Sequence, residues 1–125
     1  VVVAWDASRE AARAVRDALP ILERARRIEV VAVDPVRSGQ GHRRHPEADV
    51  AVYLARHGLE VETRHIRTGD GSTSEAILSR VMGGARGGDM LVMGACVHSR
   101  LGAILSGGMT RAVLERMPVP VLMSH

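Results

Sequence analysis

The chain has 125 residues, of which 46% are hydrophobic and 25% are charged, and its formal net charge is +3. This size and composition fit a single folded domain and exclude a disordered tail. No apolar stretch approaches the roughly 20 residues that a membrane-spanning helix needs. All 17 basic residues are arginine, which excludes a P-loop lysine, Schiff-base chemistry and a lysine general base.

Composition also indicates the compartment and the partners. Cys96 is the single cysteine and has no partner for an internal disulfide, so we expect a reducing, cytoplasmic setting. The arginines form no basic block, and aromatic residues make up only 2% of the chain, so we expect no nucleic-acid partner. We expect no membrane partner either. Because the chain starts inside a predicted strand, we expect it to be a domain, or the ordered part, of something longer.

The first part of the chain has a strand, a helix and a second strand. Residues 1–5 are a β-branched apolar run that is typical of a buried strand. Ser8 has the position of an N-cap before a stretch with apolar residues at helical spacing. Pro20 interrupts that helix and predicts a kink or a lost hydrogen bond. A second strand is predicted over residues 28–33, and a polar, glycine-rich loop over residues 36–46.

The middle of the chain repeats the alternation. A helix is predicted from about Glu47 to His57, where a basic residue followed by Gly58 indicates its end. Residues 59–66 alternate apolar and polar side chains, which favours a strand at a sheet edge. Ser72-Thr-Ser-Glu75 has the spacing of a capping box and predicts a third helix that continues to the glycines at 87–88.

The last part of the chain contributes two strands and a helix. Residues 90–93 are the most uniformly apolar run, which favours a central strand. A loop over residues 94–106 is followed by a helix from Gly107-Gly108 to about Arg116. The last strand is predicted over residues 119–123, and its proline favours an edge position.

Strands that alternate with helices predict an α/β fold, with a doubly wound parallel five-stranded sheet covered by helices on both faces. Ligands bind such sheets beyond the carboxyl ends of the strands, where the winding direction reverses. Two loops here follow strands, one with Asp6 and Ser8 and one over residues 94–110. If the first and fourth strands are neighbours, these loops face each other across the crevice.

The loop after the fourth strand has features of a phosphate-binding site. Gly94 directly follows the strand and lets the backbone approach a ligand. Gly107 and Gly108 open a helix, whose unpaired N–H groups favour phosphate. Thr110 adds a hydroxyl in the first turn, and Asp6 has the chemistry to accept from ribose hydroxyls or to hold a divalent cation.

At these residues the chain resembles the universal stress protein family over essentially its whole length. The resemblance includes the strand-Asp-x-Ser start, the long loop after the second strand and the terminal Pro-Val-Leu. Nucleotide-binding members of that family carry a glycine, two residues, a second glycine, nine residues and then Gly-Ser or Gly-Thr. Gly94 and Gly107 match this pattern. Val97 replaces its second glycine, and Gly108 stands at its hydroxyl position.

The resemblance implies a three-layer fold with the strand order 3-2-1-4-5, a homodimer or tandem pair, and a role in stress response. It also implies ATP or AMP binding in some members, with or without Mg²⁺. Adenine-side contacts are implied for Ala4, Asp6 and Val33. Phosphate-side contacts are implied for Gly94, Gly107, Gly108, Met109 and Thr110, and Val97 belongs to the same nucleotide-binding loop. We expect replacement of Val97 by glycine to tighten ATP binding by about tenfold, because valine is stiff and disfavours positive φ.

Other interpretations of the same residues stay open. Asp6 is equally suited to a turn before the Ser8 helix, and the paired glycines to a plain loop. The His42-Arg-Arg-His45 segment is interpreted as a solvated charge cluster rather than a metal site, and Cys96 as an inert thiol. Met90, Met93 and Met123 are interpreted as core filling rather than as a cofactor-binding pattern.

Three functional classes follow from these residues. The first is a nucleotide-sensing regulatory domain, which acts as a dimer or tandem pair through residues 119–123. The second is an assembly module that binds no nucleotide, and the third is a slow ATP hydrolase. No catalytic residue and no metal ligand is assigned. Trp5 is the single tryptophan and neighbours Asp6, so we expect its emission to report nucleotide binding.

Overall fold

The computed structural model describes residues 1–34, 46–68, 71–84, 87–95 and 108–125. These residues form a parallel five-stranded sheet between two layers of helices. The strands are β1 (Val2–Trp5), β2 (Ile28–Asp34), β3 (Val61–Arg67), β4 (Leu91–Gly94) and β5 (Val121–Ser124). The helices are α1 (Arg9–Leu22), α2 (Pro46–Arg56), α3 (Thr73–Val81) and α4 (Gly108–Arg116). The strand order is β3-β2-β1-β4-β5, which confirms the expected fold class and topology.

The sheet separates two apolar cores because successive side chains of a strand point to opposite faces. Val3 of β1 belongs to the core under α1 and α2, which we call the first core. Val2, its neighbour, belongs to the second core, under α3 and α4. Full burial of a Val or Leu side chain stabilises a fold by about 1.5–3 kcal/mol. In the described part of the chain, no helix has the length and hydropathy needed to cross a membrane.

The start of α1 confirms the predicted N-cap. The backbone N–H of Ala11 donates to Ser8 Oγ at 3.0 Å, which satisfies one of the free donors of the first turn. Pro20 lies inside the helix, two residues before its end at Leu22. Because the helix ends only two residues later, the missing proline donor removes a hydrogen bond only from its last turn.

The ends of α3 differ from the sequence prediction. Ser72 is the N-cap residue but makes no side-chain cap, because its hydroxyl is hydrogen-bonded to Ser74 Oγ at 2.6 Å. The predicted capping box is therefore wrong. The helix ends at Val81 rather than near residue 87, because two glycines follow and Gly84 adopts a left-handed φ of 62°.

A buried carboxylate connects α3 and β3 to β2. Glu29 is 2% exposed, Arg64 Nε donates to its Oε1 at 2.6 Å, and Arg80 Nη2 lies 2.5 Å from its Oε2. Burial alone would raise the pKa of Glu29, but the hydrogen bonds from Arg80 and Arg64 outweigh it and hold that pKa below its ordinary value. The ionised carboxylate thus anchors two neighbouring elements to the sheet.

Candidate functional site

A cavity of about 200 Å³ opens at the carboxyl ends of β1 and β4. Here the winding reverses, because α1 packs on the first core after β1 and α4 packs on the second core after β4. We call it the switch-point cavity. It is lined by residues of three strand ends and two helix starts, namely Ala4, Trp5, Asp6, Val31, Val33, Thr73, Ile77, Met93, Gly94, Met109 and Thr110.

The floor of the switch-point cavity is apolar. Val31 and Val33 come from β2, Met93 from β4 and Ile77 from one turn into α3, and all four pack in or against the second core. Thr73 stands at the start of α3 above this floor. An apolar floor with few polar groups at its rim is the usual composition of a small-molecule pocket.

The loop from β1 to α1 has a fixed, strained shape. Ser8 N–H donates to Asp6 Oδ1 at 2.9 Å, which closes a turn, and this finding supports the interpretation of Asp6 as a turn residue. Ala7 has a φ of 61°, a conformation that costs an alanine about 1–2 kcal/mol. The second oxygen of Asp6 is not used in this turn, and its carboxylate lies at the cavity wall.

Gly94 lies where the first turn of α1 presses on the end of β4. A Cβ at this position would lie 2.6 Å from Ala11 N and 2.8 Å from the carbonyl carbon of Glu10. Both atoms are backbone, so neither can move aside without moving the helix. The glycine is therefore required by packing, whether or not a ligand binds beside it.

The start of α4 forms the opposite wall. Met109 and Thr110 line the cavity, and Gly108 is exposed at the first position of the helix, with nothing within 4 Å of a Cβ placed on it. Thr110 Oγ1 is buried and has no hydrogen-bond partner in the part of the chain that the structure describes. A buried hydroxyl without a partner costs about 1–3 kcal/mol, which a ligand atom would recover.

The charge at the cavity is low. Of the lining residues, only Asp6 has an ionisable side chain. The described residues contain no group of three His, Cys, Asp or Glu side chains placed to hold a metal ion. The positive end of α4 is thus the main attraction for an anion in the described wall.

Most of the predicted site residues meet at this cavity. Those that line it are Ala4, Asp6, Val33, Gly94, Met109 and Thr110. Gly108 lies beside it at the helix start, whereas Val97 and Gly107, with Cys96 and the His42–His45 segment, lie outside the described residues.

Sequence reasoning missed the contribution of α3 and part of the floor. Thr73 and Ile77 lie on a helix that follows an edge strand, and no motif marked them. Ile77 falls within the predicted third helix, but a helix prediction does not say which cavity a residue borders. Val31 could have been found from Val33, because residues two apart on a strand share a face. Met93 was assigned to the core, which its 3% exposure confirms, and it also borders the cavity.

Trp5 is among the residues that line the switch-point cavity, as its place beside Asp6 predicts. Its side chain packs against the first core, on the α1 and α2 side of the sheet. Ala4, the preceding residue, packs against the second core, which forms the cavity floor. The period of two along β1 explains the difference. Trp5 therefore borders the switch-point cavity at the end of β1, while its side chain packs against the first core.

A parallel five-stranded sheet with helices on both faces, whose winding reverses between β1 and β4, defines the class of doubly wound α/β domains. Within that class, the chain belongs to the universal stress protein family, whose family model matches residues 1–125.

Solved structures agree with this assignment. The chain superposes on the universal stress protein UspA from Lactobacillus plantarum with a TM-score of 0.66 and 17% identity, over 99% of this chain and 95% of that one. A protein of the universal stress protein family from Burkholderia pseudomallei gives a TM-score of 0.63 and 19% identity, over 98% and 92% of the two chains. At these identities the likeness shows a shared fold. No curated protein matches the sequence significantly.

Proposed function

We propose that this universal stress protein domain binds an adenine nucleotide, AMP or ATP, in the switch-point cavity and regulates an assembly by its occupancy. The observation that supports this most directly is the buried Thr110 hydroxyl, which has no partner among the described residues at the start of α4. A helix start with a free hydroxyl suits a phosphate or a ribose oxygen. The apolar floor opposite suits a purine ring.

The charges of the site predict how the two nucleotides differ. The described lining residues offer no cationic side chain to a triphosphate, and the Asp6 carboxylate repels the negative charge of the triphosphate. Mg²⁺ carried by the phosphates supplies the missing positive charge, and the free oxygen of Asp6 is suited to meet it. ATP binding is therefore expected to need Mg²⁺, whereas AMP binding is expected to depend on it less.

Calorimetric titration of AMP and ATP, each with and without Mg²⁺, tests the proposal. Thr110→Val keeps the shape of the side chain and removes the hydroxyl, and it is expected to weaken AMP binding by about tenfold. Thr63→Val, at an exposed position of β3, is the matched control and is expected to leave the affinity unchanged. Absence of binding by the unaltered protein at millimolar nucleotide, or equal affinities of both variants, would contradict it.

An assembly module without nucleotide binding is the second candidate. It is favoured by the finding that Gly94 and Asp6 both have structural roles, in helix packing and in a turn. A nucleotide that binds the native state raises its melting temperature, whereas a module without a site shows no shift. The hydrolase alternative has less support, because Asp6 is the only described lining residue able to act as a base.

We also propose that the domain pairs with a second copy or a tandem domain through β5. This strand ends the sheet, and its four residues are all partly exposed. An edge strand of apolar residues presents unpaired backbone groups to another chain. Leu114 and Met117, on and just after α4, are each about half exposed and add apolar surface to the segment that leads into β5.

A further inference from the structure

A second cavity, of about 320 Å³, lies on the other side of the sheet, between α1 and α2. We call it the α1–α2 cavity. Its walls come from the end of β1 and from the facing sides of the two helices, namely Trp5, Ala12, Val15, Arg16, Asp49, Val50 and Tyr53. It borders the first core, whereas the floor of the switch-point cavity belongs to the second core.

The α1–α2 cavity has an aromatic and aliphatic interior. Val15 and Val50 are buried core residues at its base. Trp5 packs against the same core, and Tyr53, which is 38% exposed, lines the cavity and makes an edge contact with the His57 ring. Aromatic rings prefer offset or edge contacts with other flat rings. A single planar ring therefore fits this space better than a flexible chain or a sugar.

Two charged residues of opposite sign border the cavity, but only one is free. Asp49 already takes part in an interaction within the protein. Arg16 is exposed and makes no hydrogen bond or ion pair within the described residues. A guanidinium presents a planar fork of donors that matches a carboxylate. The unsatisfied charge at the opening is thus positive.

We propose that the α1–α2 cavity binds a small aromatic carboxylate, with its ring between Trp5 and Tyr53 and its carboxylate on Arg16. The apolar interior and the free cation together define this class of ligand, since a neutral ring leaves Arg16 unpaired and a small carboxylate without a ring leaves the cavity empty. The site shares no lining residue with the switch-point cavity except Trp5. It does not depend on nucleotide binding.

Phenylacetate and its uncharged isostere phenylacetamide are the probes. Trp5 emission and the methyl signals of Val15 and Val50 report binding. Phenylacetate is expected to saturate at millimolar concentration and to bind about tenfold more tightly than the amide. Arg16→Gln is expected to abolish that difference, whereas Arg9→Gln, two turns earlier on α1, keeps it. Ala12→Leu, which fills the cavity from an exposed position, is expected to abolish binding of both probes.

Four results would overturn the proposal. The first is no saturation by phenylacetate up to about 10 mM. The second is equal affinity for both probes in the unaltered protein. The third is that the signal changes occur at Ile77 and Met93 in place of Val15 and Val50. The fourth is that a second copy of the chain covers the cavity, in which case Ala12→Leu changes the sedimentation coefficient while phenylacetate has no effect.

Discussion

Gly94 and Gly108 stand at two positions of one glycine pattern, and the fold uses them for different purposes. The first lies against the backbone of α1, where a methyl group would come within 2.6 Å of Ala11 N. The second opens α4 with free space around it. A pattern found in sequence therefore combines a residue required by packing with a residue that the described fold leaves unconstrained.

We expect Gly94→Ala to lower the free energy of unfolding by about 2 kcal/mol, because the added methyl group pushes the start of α1 off the sheet. Gly108→Ala is the control, and it is expected to change that free energy by no more than about 0.5 kcal/mol. Urea unfolding of both variants measures the effect. Equal losses would mean that the close approach of α1 to Gly94 is not retained in solution.

The strain at Ala7 is expected to be relieved by glycine. Ala7→Gly removes the Cβ that clashes at a φ of 61° but adds freedom to the unfolded chain, so a net stabilisation of about 0.5 kcal/mol is expected. Ala12→Gly, at an exposed position of α1 with ordinary helical backbone, is expected to destabilise by about 1 kcal/mol. Thermal unfolding of both variants distinguishes the expected gain of stability from the expected loss. A loss of stability in both variants would argue against a left-handed Ala7.

For individual residues, the sequence predicted the cavity residues that follow strands and missed those that line the cavity from α3. Asp6, Gly94 and Thr110 were found because loops at strand ends carry recognisable spacing. Thr73 was missed because its place at the cavity depends on how α3 lies across the sheet. That placement depends on long-range packing, which no local pattern encodes.

Among the elements, α3 shows how a charge fixes a helix. Arg80, near its end, pairs with the buried Glu29 of β2, while Thr73 and Ile77, in its first half, form a wall of the switch-point cavity. The ion pair and the cavity wall therefore lie at opposite ends of one short helix. The position of this cavity wall therefore depends on the ion pair between Arg80 and Glu29.

Glu29→Gln is expected to lower the free energy of unfolding by about 3 kcal/mol at neutral pH, because it leaves Arg80 beside an uncharged amide. The folded-state pKa of Glu29 is lowered, so the stabilisation is complete above its ordinary pKa and is lost as the pH falls through the folded value. The difference in the free energy of unfolding between the unaltered protein and Glu29→Gln should therefore narrow as the pH falls.

Urea unfolding between neutral pH and pH values below the ordinary pKa of a carboxyl group measures that gap. Glu115→Gln is the control, because its ion pair with Arg111 is exposed, and we expect nearly unchanged stability. A gap that stays constant as the pH falls would show that Glu29 is not ionised in the folded protein.

The existence and order of the elements were predictable from hydrophobic periodicity, but several of their ends were not. The glycines at 83–84 end α3 earlier than expected, although they lie in a stretch whose spacing continues the helix. β5 starts at Val121 and not at residue 119, because Pro118 and Pro120 lack backbone donors. Ends depend on single backbone hydrogen bonds, whereas the element itself depends on a repeated pattern.

For the whole molecule, the exposed edge of β5 carries the proposed pairing. Leu91 N–H donates to Pro120 O and Ala95 N–H donates to Ser124 O, so these carbonyls face β4. Successive residues of a strand point their backbone N–H and C=O groups to opposite sides. Val121 and Met123 therefore point these groups to the free edge. Val121→Pro therefore removes an outward donor and leaves the bonds to β4 intact.

We expect the unaltered protein to sediment as a dimer at about 10–50 μM, a range that detects weak association, and Val121→Pro to shift it toward the monomer. Thr63→Pro, which by the same alternation removes an outward donor from the other edge strand, is the matched control and is expected to leave the dimer unchanged. A monomeric unaltered protein would contradict pairing through β5, as would a dimer that survives the proline.

The alternation of side chains along β1 also decides what spectroscopy can observe. The side chain of the single tryptophan packs against the first core, yet Trp5 lines both the switch-point cavity and the α1–α2 cavity. A change of its emission therefore does not by itself say which of the two cavities is occupied. A fluorophore carried by α3 at Ser74 would stand on the correct side, next to Thr73. The single tryptophan of this protein thus borders two cavities, and a second probe on one side of the sheet distinguishes them.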